Sequence, residues 1–428
     1  MTARTSTADP RPGAAQGEGF PALWTIEELS AAYATLPGPA AALYRLMGAG
    51  AVAWYDSAAL SVLTELAPPA GDYLADVLVR AGVMTAIDGG YLLSAAAQLH
   101  ARILSEECGT EEHRLNEAAC DRVYAFYADA AAAAERLITP SHRGLWERPP
   151  VLEPAGTAPF ALTEQAALDW LELRLPTYMQ VIIAAFADGR YSLCCDLAHR
   201  LWPLWLRRRH PDERDLALVL GLAAARLVDS DTAIGQMLTA LAGAVRERDP
   251  LTSYSYNRQA AALYAEIGDS LGMAQAINGI GKNLLDAGDP NRAEGCFRDA
   301  EQLRTDAGYV RGAALSRRGR GRAALAHGQP AEAADLLSSA HRDLLDEADH
   351  YDAAWTLAYH AEARARLGDL DGALAELETA AGALRQATSA DGEARVANIK
   401  ARILADAASP GPPAERPERT RELADDAT

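Results

Sequence analysis

Residues 271–310, LGMAQAINGIGKNLLDAGDPNRAEGCFRDAEQLRTDAGYV, decide the fold, because their small and bulky residues return forty positions later and again forty after that. Gly288, Gly328 and Gly368 share one register. Ala293, Ala333 and Ala373 share another, as do Phe297, Leu337 and Leu377, and Ala300, Ala340 and Ala380. The turn dipeptides keep step at Asp249-Pro250, Asp289-Pro290, Gln329-Pro330 and Asp369-Leu370. A fixed period of this size marks stacked units, none of which buries its apolar face alone. Each unit reads as two amphipathic helices with a Gly/Pro turn between them. Small residues let one helix approach the next, and the Phe/Leu position supplies an apolar knob. The regular part covers 231–391, and stability should accumulate by repeat. A chain cut after Arg311 is therefore expected to keep its helical signal per residue and lose melting temperature.

Composition limits the function. Apolar residues make up 49% of 428, much of it alanine, which favours helix over strand. Forty basic against 59 acidic residues leave a net charge of -19, which disfavours general affinity for nucleic acid or anionic membranes while permitting a local basic patch. Five scattered cysteines (Cys108, Cys120, Cys194, Cys195, Cys296) without zinc-site spacing suit a reduced, cytoplasmic protein. No signal peptide and no run of membrane-spanning length is read.

Residues 1–20 lack apolar periodicity and predict a disordered N-terminus, as does the Pro-rich tail 408–428. Thr25 with Glu28 three residues on predicts a capped helix start near Trp24. Ala58 to Leu66 and Tyr73 to Ala81 read as helices joined by Ala67-Pro68-Pro69-Ala70-Gly71. Val83 to Ile87 and Tyr91 to Leu93 then form a hairpin about Asp88-Gly89-Gly90. Helix, helix, hairpin is a winged-helix-like layout, assigned to 21–108. A long helix (Glu111 to Leu137) and a Pro-rich linker (Arg148 to Pro159) fill 109–160, and irregular helical pairs occupy 161–230, with Pro176 interrupting the first. The fold class expected is all-α, a helical-hairpin solenoid preceded by that small module.

The repeat resembles a tetratricopeptide array, with Gly281, Gly288, Ala293, Phe297 and Ala300 at the motif's small and aromatic positions. The forty-residue unit is longer than that family's usual one. The whole order also resembles the C-terminal arm of actinomycete STAND (AfsR-type) regulators, over roughly 30–400. That likeness rests on Leu36-Pro37 through Leu43-Tyr44-Arg45-Leu46, on Glu135-Arg136-Leu137, and on Ala167-Leu168-Asp169-Trp170-Leu171-Glu172. Where such regulators carry a nucleotide-sensing Tyr-Arg-Leu-His-Asp segment, this chain has Tyr91-Leu92-Leu93-Ser94-Ala95, and no G-x-x-x-x-G-K-[ST] precedes it. The resemblance therefore implies an arm without its P-loop NTPase, binding neither ATP nor ADP and needing no cofactor.

Register along the resemblance gives the candidate site. A tetratricopeptide groove is lined by the second, fifth, ninth, twelfth and thirteenth positions of each first helix. With Ala274, Ala314 and Ala354 as first positions, these are Gln275, Asn278, Lys282 and Asp286; then Leu315, Arg318 and Arg322; then Trp355, Glu362 and Arg366. Lys282, Arg318 and Arg322 form a basic cluster suited to a protein or peptide partner with an acidic segment, and Trp355 is an aromatic anchor. The competing reading of Arg317-Arg318-Gly319-Arg320-Gly321-Arg322 is a solvated helix face. Trp202, Pro203, Trp205 and Arg207-Arg208-Arg209 read as core plus a helix C-terminus, with Arg207 outside the groove. Gly279-Ile280-Gly281-Lys282-Asn283 lacks Walker spacing and reads as helix packing. The nine histidines show no H-E-x-x-H and no His/Cys cluster; His341, His350 and His360 read as surface groups, and no metal is expected. The function expected is a non-enzymatic regulator or scaffold, in keeping with control of secondary metabolism in the resembled family. A DNA-binding regulator is the alternative, weakened because Arg80 is the sole Lys or Arg in 58–93. A biosynthetic enzyme ranks last, since no nucleophile elbow or other catalytic motif is present.

Overall fold

The computed structural model describes residues 24–87, 89–145, 158–387 and 389–408. Most of the expected linker, the expected disordered N-terminus and the tail beyond Ala408 lie outside these residues. The chain divides into two compact units between Val123 and Tyr124.

In the first unit, α1 (Ile26–Ala34) starts with the expected capping box. The Thr25 hydroxyl accepts from the Glu28 N–H at 3.2 Å, and the Glu28 carboxylate accepts from the Thr25 N–H at 2.8 Å. Then come α2 (Gly38–Ala49), β1 (Trp54–Tyr55), α3 (Ser57–Thr64), α4 (Pro68–Arg80), β2 (Thr85–Ile87), β3 (Gly90–Leu92), α5 (Ala95–Glu106) and the start of α6 (Thr110–Ile138). The strands pair antiparallel in the order β1-β3-β2. The structure departs from the sequence reading here. Pro68 and Pro69 belong to the first turn of α4 and not to a connector, because the first turn needs no backbone N–H from them. The two-residue β1 and the helix α5 were not read at all. Ser94, which stands where the resembled family has a sensing His, is the N-cap of α5, its hydroxyl accepting from the Ala97 N–H.

The second unit is helical throughout its described residues. Its irregular part comprises α7 (Glu164–Leu173), α8 (Leu175–Ala187), α9 (Tyr191–Arg200), α10 (Trp202–Arg207) and α11 (Pro211–Leu227). The regular part follows with α12 (Asp231–Val245), α13 (Pro250–Glu266), α14 (Ser270–Asp286), α15 (Pro290–Asp306), α16 (Val310–Ala326), α17 (Pro330–Asp346), α18 (His350–Arg366) and α19 (Leu370–Gln386), closed by α20 (Ala390–Ala408). This is a tetratricopeptide-like solenoid of helical hairpins. Helices α13 to α19 start twenty residues apart, so the forty-residue repeat is a pair of equal steps.

One turn chemistry produces that step. At Gly288 (φ +83°) the backbone turns left-handed. Its N–H donates to Leu285 O, the Asp289 N–H donates to Leu284 O, and the Asp289 carboxylate then caps α15 at the Arg292 N–H. The left-handed position recurs at Gly268, Gly308, Gly328 and Gly368, and Ala348 holds it at φ +56°. Between turns, Ala293, Ala333 and Ala373 and the knobs Phe297, Leu337 and Leu377 are buried. Each knob's burial contributes about 1.5–3 kcal/mol. Phe297 lies between two glycine helices: a Cβ would come within 2.8 Å of its ring at Gly281 and 2.5 Å at Gly319. Gly279 meets Asn257 in the same way, at 2.3 Å. The Gly279-x-Gly281 pair is thus spent on helix contact.

Candidate functional site

Within the second unit a cavity of about 820 Å³ opens among α10, α12, α14, α16, α18 and α20. Eight lining residues are basic and four acidic, so a chain of net charge -19 encloses a positive chamber. Trp202, Trp205, Tyr351, Trp355 and Tyr359 give it aromatic walls. Trp355 and Tyr359 stack with centroids 6.5 Å apart, and the Arg395 guanidinium sits 5.2 Å from the Trp355 ring.

Most of these bases already have acids. Arg318 donates to Asp352 Oδ1 at 2.8 Å, Arg246 pairs with Asp286, and Arg209 reaches Asp391 at 3.1 Å. Arg395 approaches Glu247 at 3.8 Å. Lys282 and Arg322 differ: neither has a hydrogen-bond or ion-pair partner among the described residues, and Arg322 only faces the Tyr359 ring at 4.9 Å. Burial first, then Arg246, Arg318, Arg304 and Arg322, pushes the Lys282 ammonium down to about 7. Burial alone would raise the Tyr359 phenol, yet Arg322, Arg318, Arg395 and Arg246 bring it below its ordinary range. Asp352, opposed by burial, is held at about 2 by Arg318 and Arg311.

Of the residues named from sequence register, Lys282, Asp286, Leu315, Arg318, Arg322 and Trp355 line this cavity. Gln275, Asn278, Glu362 and Arg366 do not. Asn278 is buried and accepts from the Ser316 hydroxyl at 3.3 Å, while Gln275 donates to Thr239. Glu362 is buried between Arg366 and Arg402, and Arg366 also donates to Leu325 O at 2.6 Å. The reason is twist. The lining stripe is at Lys282 and Asp286 late in α14, then at Leu315 to Arg322 in α16, then at Tyr351 to Tyr359 in α18. It retreats about one turn toward the helix N-terminus per repeat, and a strictly linear register misses that drift.

The arginine run divides between faces. Arg317 pairs with Glu301 at 2.8 Å and with Asp343, and Arg320 pairs with Glu294 and Glu301, so this side is a ladder of ion pairs and not a solvated face. The second tryptophan cluster is also placed differently from the sequence reading, since Trp202 and Trp205 border the cavity. Arg207 is buried with its guanidinium 3.8 Å from the Tyr351 ring, so it does not lie apart from the groove. His341 and His360 are half-buried and bonded, to Ala353 O and Glu376 respectively, which corrects their reading as surface groups. Tyr351, Tyr359, Arg246 and Arg395 were missed. Tyr351, Trp355 and Tyr359 recur every four residues, the one sequence signal that could have found the aromatic wall.

No family model and no curated protein sequence matches the chain. Solved structures match it at low similarity. Aspartyl phosphate phosphatase F from Bacillus subtilis is 12% identical with TM-score 0.43, covering 93% of this chain and 82% of that one. BtubC from P. vanneervenii is 14% identical with TM-score 0.40, covering 57% and 97%. A STAND protein with a tetratricopeptide repeat sensor from Pyrococcus horikoshii is 11% identical with TM-score 0.35, covering 91% of this chain and 62% of that one. The fold assignment rests on this chain's own helices and turns.

Proposed function

We propose that this chain is a non-enzymatic regulatory or scaffold protein that takes an acidic segment of a partner protein or peptide into the cavity, with residues 21–108 as a winged-helix-like spacer. One observation supports this most: Lys282 and Arg322 face a chamber with aromatic walls and have no anion among the described residues. A carboxylate-bearing segment supplies the missing counter-charge, and the aromatic walls take its apolar side chains. The earlier expectation that Arg318 is a ligand for the partner changes in weight, because Asp352 already neutralises it. The test compares proteins captured from native-host extract by wild type, by Lys282→Met with Arg322→Leu, and by Arg342→Glu, an exposed position outside the cavity. Wild type and Arg342→Glu should retain the same partner and the double variant should lose it, with unchanged circular dichroism. Equal capture by all three overturns the assignment.

A further inference from the structure

Outside the residues that line the cavity, three side chains from three segments of the second unit converge. Glu135 lies near the end of α6, His142 in the loop that follows, and His199 on α9. One ligand atom from each lies within 4.8 Å of the others. We propose that Glu135, His142 and His199 form a binding site for a divalent transition metal of the zinc class.

Two imidazoles and one carboxylate are a donor set this class prefers, leaving the fourth tetrahedral position for water. Glu135 is buried and already oriented: its Oε2 accepts from Arg200 Nη1 at 2.8 Å, and Arg200 Nε is held by Asp196 at 2.8 Å. Oriented carboxylates of this kind are the usual support of a metal centre. His199, also buried, makes no hydrogen bond among the described residues. That leaves a ring nitrogen open to serve as a ligand.

Binding requires one movement. His142 Nδ1 now lies 2.6 Å from Glu135 Oε1, and its ring stacks on His199 (4.3 Å, 16°) and on Trp202 (5.3 Å, 14°). In-plane lone pairs of parallel rings do not converge, so the loop-borne His142 must turn out of the stack to share the ion. That motion changes the surroundings of Trp202.

The test uses the full chain, freed of any affinity tag and stripped with a chelator, titrated with Co2+, Zn2+ and Mg2+. Co2+ should give the visible absorption of tetrahedral coordination, saturating at one equivalent. Zn2+ should change tryptophan emission and raise the melting temperature, and Mg2+ should do neither. His199→Phe, which keeps a stacked ring, and Glu135→Gln, which keeps an acceptor for Arg200, should each weaken binding by at least about tenfold. If wild type shows no saturation at one equivalent, or the folded Glu135→Gln variant binds as well as wild type, the site is refuted and any binding is adventitious.

Discussion

Lys282 shows how one residue's burial becomes a measurable property. Its folded value of about 7 lies below the ordinary 10.5, so between these limits the unfolded chain holds more protons than the folded one. Stability therefore rises with pH across that window, and the cost of burying the ammonium is fully present below about 7. Lys282→Met removes the titrating group. The gap in urea midpoint between variant and wild type should be widest at and below pH 7 and narrow by pH 9. A gap independent of pH would mean the ammonium is well solvated. The basic cluster Lys282, Arg318 and Arg322 was named in sequence through the groove register that the tetratricopeptide resemblance implies. The acid that neutralises Arg318 was not, since Asp352 comes from another helix thirty-four residues on.

At the scale of the element, the turns explain why the repeat is so regular, and one of them breaks the rule. Glycine tolerates the left-handed conformation, whereas an alanine Cβ there crowds the following carbonyl at a cost of roughly 1–2 kcal/mol. Ala348 occupies that position at φ +56°. Ala348→Gly should stabilise the chain by about 1 kcal/mol, the relieved strain exceeding the added freedom of glycine when unfolded. Chemical denaturation checks this, and a loss of stability would show that Ala348 is held there by other contacts. The forty-residue period was readable because glycines and Phe/Leu knobs must recur wherever helices touch. The twenty-residue step was hidden because alternate turns carry different flanking residues, such as Gly308-Tyr309 and Ala348-Asp349. Superhelical drift was hidden for a different reason: it belongs to the accumulated angle between helices and to no residue. Glu362 and Arg366 sit at the linear register yet fall outside the cavity for that reason.

At the scale of the second unit, a solenoid whose repeats touch only their neighbours would have separable ends. Here the array's late helices meet its early ones. The Arg207 guanidinium on α10 stands 3.8 Å from the Tyr351 ring of α18, Arg209 pairs with Asp391 at the start of α20, and Arg395 of α20 approaches Glu247. The rim ion pairs are exposed and contribute little each, about 0–1 kcal/mol. The Arg207 contact is buried, where a cation over an aromatic face contributes about 2 kcal/mol or more. Arg207→Glu sets a carboxylate against that ring, where Glu164, Asp352 and Asp349 already make the surroundings negative. The variant should lose about 3 kcal/mol, since an unpaired buried charge is expensive. Amide hydrogen exchange should quicken in α18, some 140 residues away in sequence, while α14 and α15 keep their protection. Exchange that quickens only in α9 to α11 would show that the ends do not support one another, and would restore the nearest-neighbour description. Closure also sharpens the expectation for a chain cut after Arg311. That cut removes Tyr351 and Asp391 along with the last repeats, so the melting temperature should fall by more than the lost neighbour contacts alone require.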